Sequence, residues 1–125
     1  MFRLLLPEWQ GYGLSSEVAD GARVLARAWW GDAPVTTIET PQTEDLAVAG
    51  GVLGLASMAP RAGEALARLR AANPGRVQMV GGTCGVEVAP VVHLNEHYDG
   101  DLAVVWIDGH ADLNTPASSP SGHFH

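Results

Sequence analysis

Residues 102–112 read Leu102-Ala103-Val104-Val105-Trp106-Ile107-Asp108-Gly109-His110-Ala111-Asp112. Six apolar residues, several of them β-branched, stop abruptly at a polar cluster. The run has the length of a strand and no polar alternation, which predicts a strand buried on both faces of a sheet. Side chains alternate along an extended backbone, so Asp108, His110 and Asp112 are expected on one side of the strand's carboxyl end. Open α/β sheets build their sites there. Two carboxylates and an imidazole directed at one point suit a divalent ion of the manganese type. The same three residues would also serve to open a solvated loop.

Upstream of that stretch, strand-like and helix-like segments alternate. Residues 2–6 read as a strand closed by Pro7, and residues 8–16 as a loop. Ser15 or Ser16 can cap a helix over residues 17–30, in which Val18, Leu25 and Trp29 supply an apolar stripe with alanines between. Residues 35–39 are short and β-branched, a second strand. Residues 46–57 are apolar but carry three glycines, which predicts a weak helix or a loop. Residues 60–72 form a better helix, opened by Pro60 and stopped by Asn73-Pro74-Gly75, with Leu66 and Leu69 on one face. Residues 76–80 read as a third strand and residues 89–98 as a last helix. Alternating strands and helices imply an α/β fold with a parallel sheet covered on both faces.

Composition limits the function classes. Of the 125 residues, 46% are apolar and 17% charged, and the net charge is −7, with seven arginines and no lysine. An acidic chain without basic clusters offers no footing for nucleic acid or for an anionic membrane. The single cysteine, Cys84, cannot close an internal disulfide, so nothing calls for an oxidising compartment. The apolar start ends at Pro7, too short for a signal peptide, and no run approaches the ~20 apolar residues of a membrane span. The expected location is cytoplasmic.

Beyond Asp112 the chain continues Leu113-Asn114-Thr115-Pro116 and reaches Ser121-Gly122-His123-Phe124-His125. The whole stretch from Asp108 to His125 resembles the ureohydrolases, the arginase, agmatinase and formiminoglutamase family. There a strand ends in D-A-H-x-D and continues through N-T-P to S-G-N-x-H-G. The resemblance implies a three-layer, doubly wound parallel sheet and a two-manganese centre that hydrolyses a guanidino or related C–N bond, releasing urea. Residue by residue, it implies that Asp108 bridges two metals while His110 and Asp112 each bind one. It implies that Asn114 and Ser121 hold the substrate, and that His125 acts as acid, base or proton shuttle, with Asp112 beside it in the catalytic set. His123 stands where the family usually has asparagine, in the substrate loop, so arginine specificity does not follow. A homo-oligomer is also implied.

Gly81-Gly82-Thr83-Cys84-Gly85 lies between an expected strand and helix and lacks the dinucleotide spacing G-x-G-x-x-G. The family's counterpart is G-G-D-H-S, whose histidine is a manganese ligand, and here Cys84 takes that place. A thiolate prefers softer metals, so Cys84 reads either as a ligand or as a small buried thiol. No match exists for the family's second metal motif, S-x-D-x-D-x-x-D-P. The resemblance therefore implies that residues 1–125 are the N-terminal portion of a single arginase-like domain, an incomplete sheet inactive by itself. Two other readings remain open: a non-catalytic arginase-like binding module, and a mononuclear hydrolase with zinc on Asp108, His110, Asp112 and Cys84. His93 and His97, four apart on the last helix, lack a third ligand and read as a solvated face, as do Glu87 and Glu96. Glu44 and Asp45 read as charges at a helix start. The tryptophans read as core or interface, since no basic residues interleave with them.

Overall fold

The structure is a computed structural model and describes residues 1–123. Its first strand, β1 (Phe2–Leu6), becomes the middle of a three-stranded parallel sheet. β2 (Thr36–Thr37) lies on one side of it, and β5 (Val77–Gly81) on the other, paired from Phe2↔Val77 to Leu6↔Gly81. Between them come helix α1 (Glu17–Trp30), a small hairpin of β3 (Val48–Ala49) and β4 (Val52–Leu53), and helix α2 (Leu55–Ala72). After β5 a single 3₁₀ turn (Cys84–Glu87) leads into α3 (Val88–His97). The expected parallel sheet is present, with three strands.

Alternation along β1 divides the core. Leu4 and Leu6 pack with Ile38, with Ala65 and Leu69 of α2, and with Val86 and Ala89. Leu5, together with Val80 of β5, meets Ala22, Ala26 and Trp30 of α1. Leu4 and Leu69 are wholly buried, and each such leucine contributes about 1.5–3 kcal/mol relative to an exposed one. Among the described residues no helix is long and apolar enough to cross a membrane.

Several expectations need correction. The run over residues 102–107 forms no strand and is largely exposed, Val105 at 83% and Ile107 at 92%. A buried strand needs neighbours on both edges, and no described strand pairs with this run. The buried stripe of α1 is Ala19, Ala22, Ala26 and Trp30, while Leu25 and Trp29 face outward at 52% and 63% exposure. Small alanines allow the helix to lie close on the sheet, which rotates the bulky residues away. Residues 46–57 form neither a weak helix nor a plain loop. Gly50 and Gly51 adopt positive φ (58° and 82°), turning the chain back as a hairpin before α2 begins at Leu55. Pro60 therefore sits inside α2 and not at its start. Ser16 occupies the N-cap of α1 without a side-chain bond, and the Ser15 hydroxyl instead accepts from the Glu17 N–H at 3.1 Å.

Glu44 is not at a helix start. Its carboxylate accepts hydrogen bonds from the Ser57 hydroxyl and, at 2.7 Å, from Gln10 Nε2, and pairs with Arg61 at 3.4 Å. Burial pushes its pKa up, yet these three donors outweigh burial and leave it below the ordinary value. The network anchors the loop before β3 to both α2 and the segment after β1.

Candidate metal and substrate site

The site has two sides. The first is the turn after β5. A Cβ placed on Gly82 would lie 2.1 Å from the Glu8 carbonyl oxygen, so only glycine admits this approach of two backbones. Glu8 itself is buried. Its Oε1 accepts the Gly11 N–H at 2.7 Å, and its Oε2 accepts the Thr83 hydroxyl. Thr83 is thereby fixed, and Cys84 is presented at the head of the 3₁₀ turn. The sequence placed Glu8 in a loop and gave no sign of this role.

The second side is the loop after residue 107. The Asp108 carboxylate accepts the His110 N–H at 2.9 Å, and Asp112 has a positive φ of 50°. The backbone therefore curls between 108 and 112, and strand alternation no longer governs where the side chains point. Asp108 and Asp112 converge with Cys84, with one ligand atom from each lying within 4.8 Å of the others. His110 is not in this group. Its side chain is 82% exposed, and its Nδ1 lies 3.7 Å from Asp108. Asp112 Oδ2 is buried and lacks a hydrogen-bond partner among the described residues, an arrangement that costs stability unless a cation or donor meets it.

Electrostatics follows from this crowding. Burial first, then the nearby Asp112 and Asp108 carboxylates, push the Cys84 thiol up to about 11, and the thiol donates to Asp108 Oδ2 at 3.7 Å. Asp108 is held below its ordinary value, chiefly by the His110 backbone N–H. In metal-free protein, Cys84 is therefore expected to resist iodoacetamide at pH 8 and to react readily only as the pH approaches 11. Alkylation at pH 8 as fast as that of an unfolded-chain cysteine would contradict this environment.

A cavity of about 170 Å³ opens beside the cluster, lined by Cys84, Trp106, Asp112, Asn114, Thr115, Ser119 and His123 among others, and by no arginine or lysine among the described residues. Sequence reading singled out Asn114 and His123; it missed Trp106, Thr115 and Ser119. Ser121 lines a neighbouring cleft with His110, Asp112 and Asn114. It accepts the His123 N–H at 3.2 Å, so it shapes the loop that carries His123. That loop is tied to the β3–β4 hairpin, because the Leu53 N–H donates to the Gly122 carbonyl at 2.8 Å. His125 lies outside the described residues.

A third cleft joins Cys84, Glu87, Trp106 and Asp108. Glu87 does not belong to a solvated face, as burial raises its pKa. A raised folded-state value means stability that is present at low pH and lost as the pH rises through that value. Glu87→Gln is thus expected to be more stable than the parent at pH 7, with the advantage fading below pH ~4.5, the ordinary glutamate range. Urea unfolding midpoints at the two pH values would check this.

His93 is also not on a solvated face. It is buried at 2% exposure, and its Nε2 lies 2.9 Å from the Pro74 carbonyl. His97 pairs with Asn73 at 2.9 Å and Glu96 with Arg70. These contacts fasten α3 to the end of α2. Of the tryptophans, Trp9 and Trp30 are buried, whereas Trp29 and Trp106 are exposed.

The sequence profile described as the Arginase family matches residues 15–125. The chain belongs to the arginase family. An arginase of Staphylococcus aureus (strain COL) is 43% identical over 47 residues, which cover 38% of this chain and 15% of the relative. The hepatic arginase of Aquarana catesbeiana is 47% identical over 53 residues, covering 41% and 16% respectively. For the arginase of Schizosaccharomyces pombe the figures are 46% over 46 residues, 37% and 14%. The matched stretch thus spans about one seventh of each curated arginase.

Proposed function

We propose that this chain carries part of the active site of a hydrolase that cleaves a guanidino or related C–N bond and releases urea. The observation that carries this reading is the convergence of Cys84, Asp108 and Asp112 beside a small cavity that no arginine or lysine lines among the described residues. A guanidinium is a planar cation, and Asp112 in the cavity wall, with Asp108 close by, would attract and orient it. Asn114 and His123 are the polar groups further along, placed to hold the other end of the substrate. In the reaction, water adds to the guanidinium carbon. The tetrahedral adduct then collapses with loss of the amine, which departs with a proton. Asp112 accepts a hydrogen bond from the attacking water, and His125 relays the proton to the leaving nitrogen, a task suited to an imidazole.

Residues 1–125 are, in this reading, the N-terminal portion of a three-layer, doubly wound arginase-like domain. The unpaired run over residues 102–107 is a strand of that larger sheet. Its exposed Val105 and Ile107 support this, as side chains built for burial.

Two manganese ions do not fit the donors described. One of the three converging groups is a thiol, which suits a hard ion poorly, and the imidazole expected to bind the second ion faces solvent.

The test is a substrate panel: release of urea from arginine, agmatine and guanidino acids, and of formamide from formimino compounds, using the protein as its gene encodes it. Turnover of at least one member, abolished by Asp108→Asn, is the expected result. No turnover of any of them would overturn the proposal.

A further inference from the structure

The donor chemistry at the cluster selects its metal. We infer that Cys84, Asp108 and Asp112 form a three-ligand site for a single borderline-soft divalent cation, zinc or cobalt, in preference to manganese. The inference rests on the proposed function only in putting that ion at the reaction centre; the binding itself stands on the donors.

Three observations carry it. The ligand atoms, one sulfur and two carboxylate oxygens, lie within 4.8 Å of one another, close enough for small side-chain rotations to bring them onto one ion. The buried Asp112 Oδ2 has no hydrogen-bond partner among the described residues, so an acceptor is already desolvated where a cation would meet it. Among the described residues no arginine or lysine lines the cavity on either side of the cluster, so neither carboxylate is paired with a permanent cation.

Thiolate ligation then decides the ion. Hard Mg²⁺ and Mn²⁺ favour oxygen ligands, whereas thiolate favours zinc and its spectroscopic substitute cobalt. Three protein ligands and a fourth position open to a cavity is also the pattern of a zinc site that does chemistry, since structural zinc sites are closed by four. Cys84 and Asp112 also line the cavity that holds Asn114 and His123, which would give an ion held there room for water or substrate. His110, directed to solvent, is not needed to complete the set.

Cobalt binding makes the sulfur ligand visible. The gene-encoded protein is stripped of metal and titrated with Co²⁺, then challenged with Zn²⁺ or Mn²⁺ at the same concentration. A thiolate-to-cobalt charge-transfer band in the near ultraviolet is expected, abolished by Zn²⁺ and retained in Mn²⁺. Cys84→Ser should lose the band while keeping its circular dichroism, and Cys84→His should lose the band and gain manganese binding. If Cys84→Ser does not fold, Asp112→Asn serves instead and should lose cobalt at this site. Cobalt binding without the band, a band that survives in Cys84→Ser, equal displacement by manganese, or no binding would each overturn the inference. Urea release with manganese and no band would sink the inference alone. The band without turnover would sink the proposed function alone.

Discussion

Gly82→Ala is expected to destabilise the fold by about 3 kcal/mol or more, at or beyond the upper end of typical overpacking costs. The added methyl would meet the Glu8 carbonyl oxygen at 2.1 Å and the Val18 carbonyl oxygen at 3.3 Å, both of them backbone atoms. Backbone cannot step aside as the tip of a flexible side chain can. Relief requires β5 and the segment after β1 to separate, and that breaks the bond from Thr83 to the Glu8 carboxylate. Gly109→Ala is the control. A Cβ there meets nothing within 4 Å, so its effect should stay within about 0.5 kcal/mol. Denaturant unfolding of the two variants gives the comparison. A Gly82→Ala protein as stable as Gly109→Ala would mean that the two backbones do not touch.

Asp112→Asn is expected to move stability and turnover in opposite directions. In metal-free protein the change removes a carboxylate from a spot where one oxygen is buried without a partner. It leaves a neutral amide there, which costs less to bury than a charge. A gain of about 1 kcal/mol is expected, the lower end of what a buried unsatisfied group costs. Urea release, by contrast, should fall by more than the roughly 10–100-fold typical of losing an outer-shell partner, because Asp112 belongs to the converging set. Unfolding midpoints after chelation, read beside turnover under saturating substrate, check both arms. Loss of stability together with loss of turnover would mean that Asp112 holds the loop and not the chemistry.

How much of this was legible in the sequence depended on whether the cause was local. The strand over residues 2–6 and the helix over residues 17–30 were read with their observed bounds, since Pro7 after the strand and the serines before the helix are punctuation that acts on its own segment. The face of α1 was misread because hydrophobicity ranks Leu25 and Trp29 above alanine, whereas packing against a sheet rewards closeness. The run over residues 102–107 was read from pattern alone, but a strand exists only through its neighbours, and none is among the described strands. His93 became a core residue through the Pro74 carbonyl, 19 positions away in sequence.

The candidate site divides in the same way. Asp108 and Asp112 were legible as a pair, although the backbone between them curls where alternation had been expected, and Cys84 only through the resemblance to the family's G-G-D-H-S stretch, which left a buried thiol equally open. The alternation argument failed for His110, because the bond from its own N–H to Asp108 curls the backbone out of the extended form. Glu8 was illegible. Nothing in the residues after Pro7 shows that a carboxylate there will hold Thr83, 75 positions further on.

The central claim is that water, and no other nucleophile, attacks a guanidino or related carbon at this site. The most direct measurement runs the reaction in ¹⁸O-enriched water with the best substrate of the panel and weighs the released urea by mass spectrometry. One ¹⁸O per urea, with no product joining the guanidino carbon to an added amine, is the predicted result. Urea without label, or transfer of the group to an amine with no urea formed, would contradict hydrolysis as the function of this site.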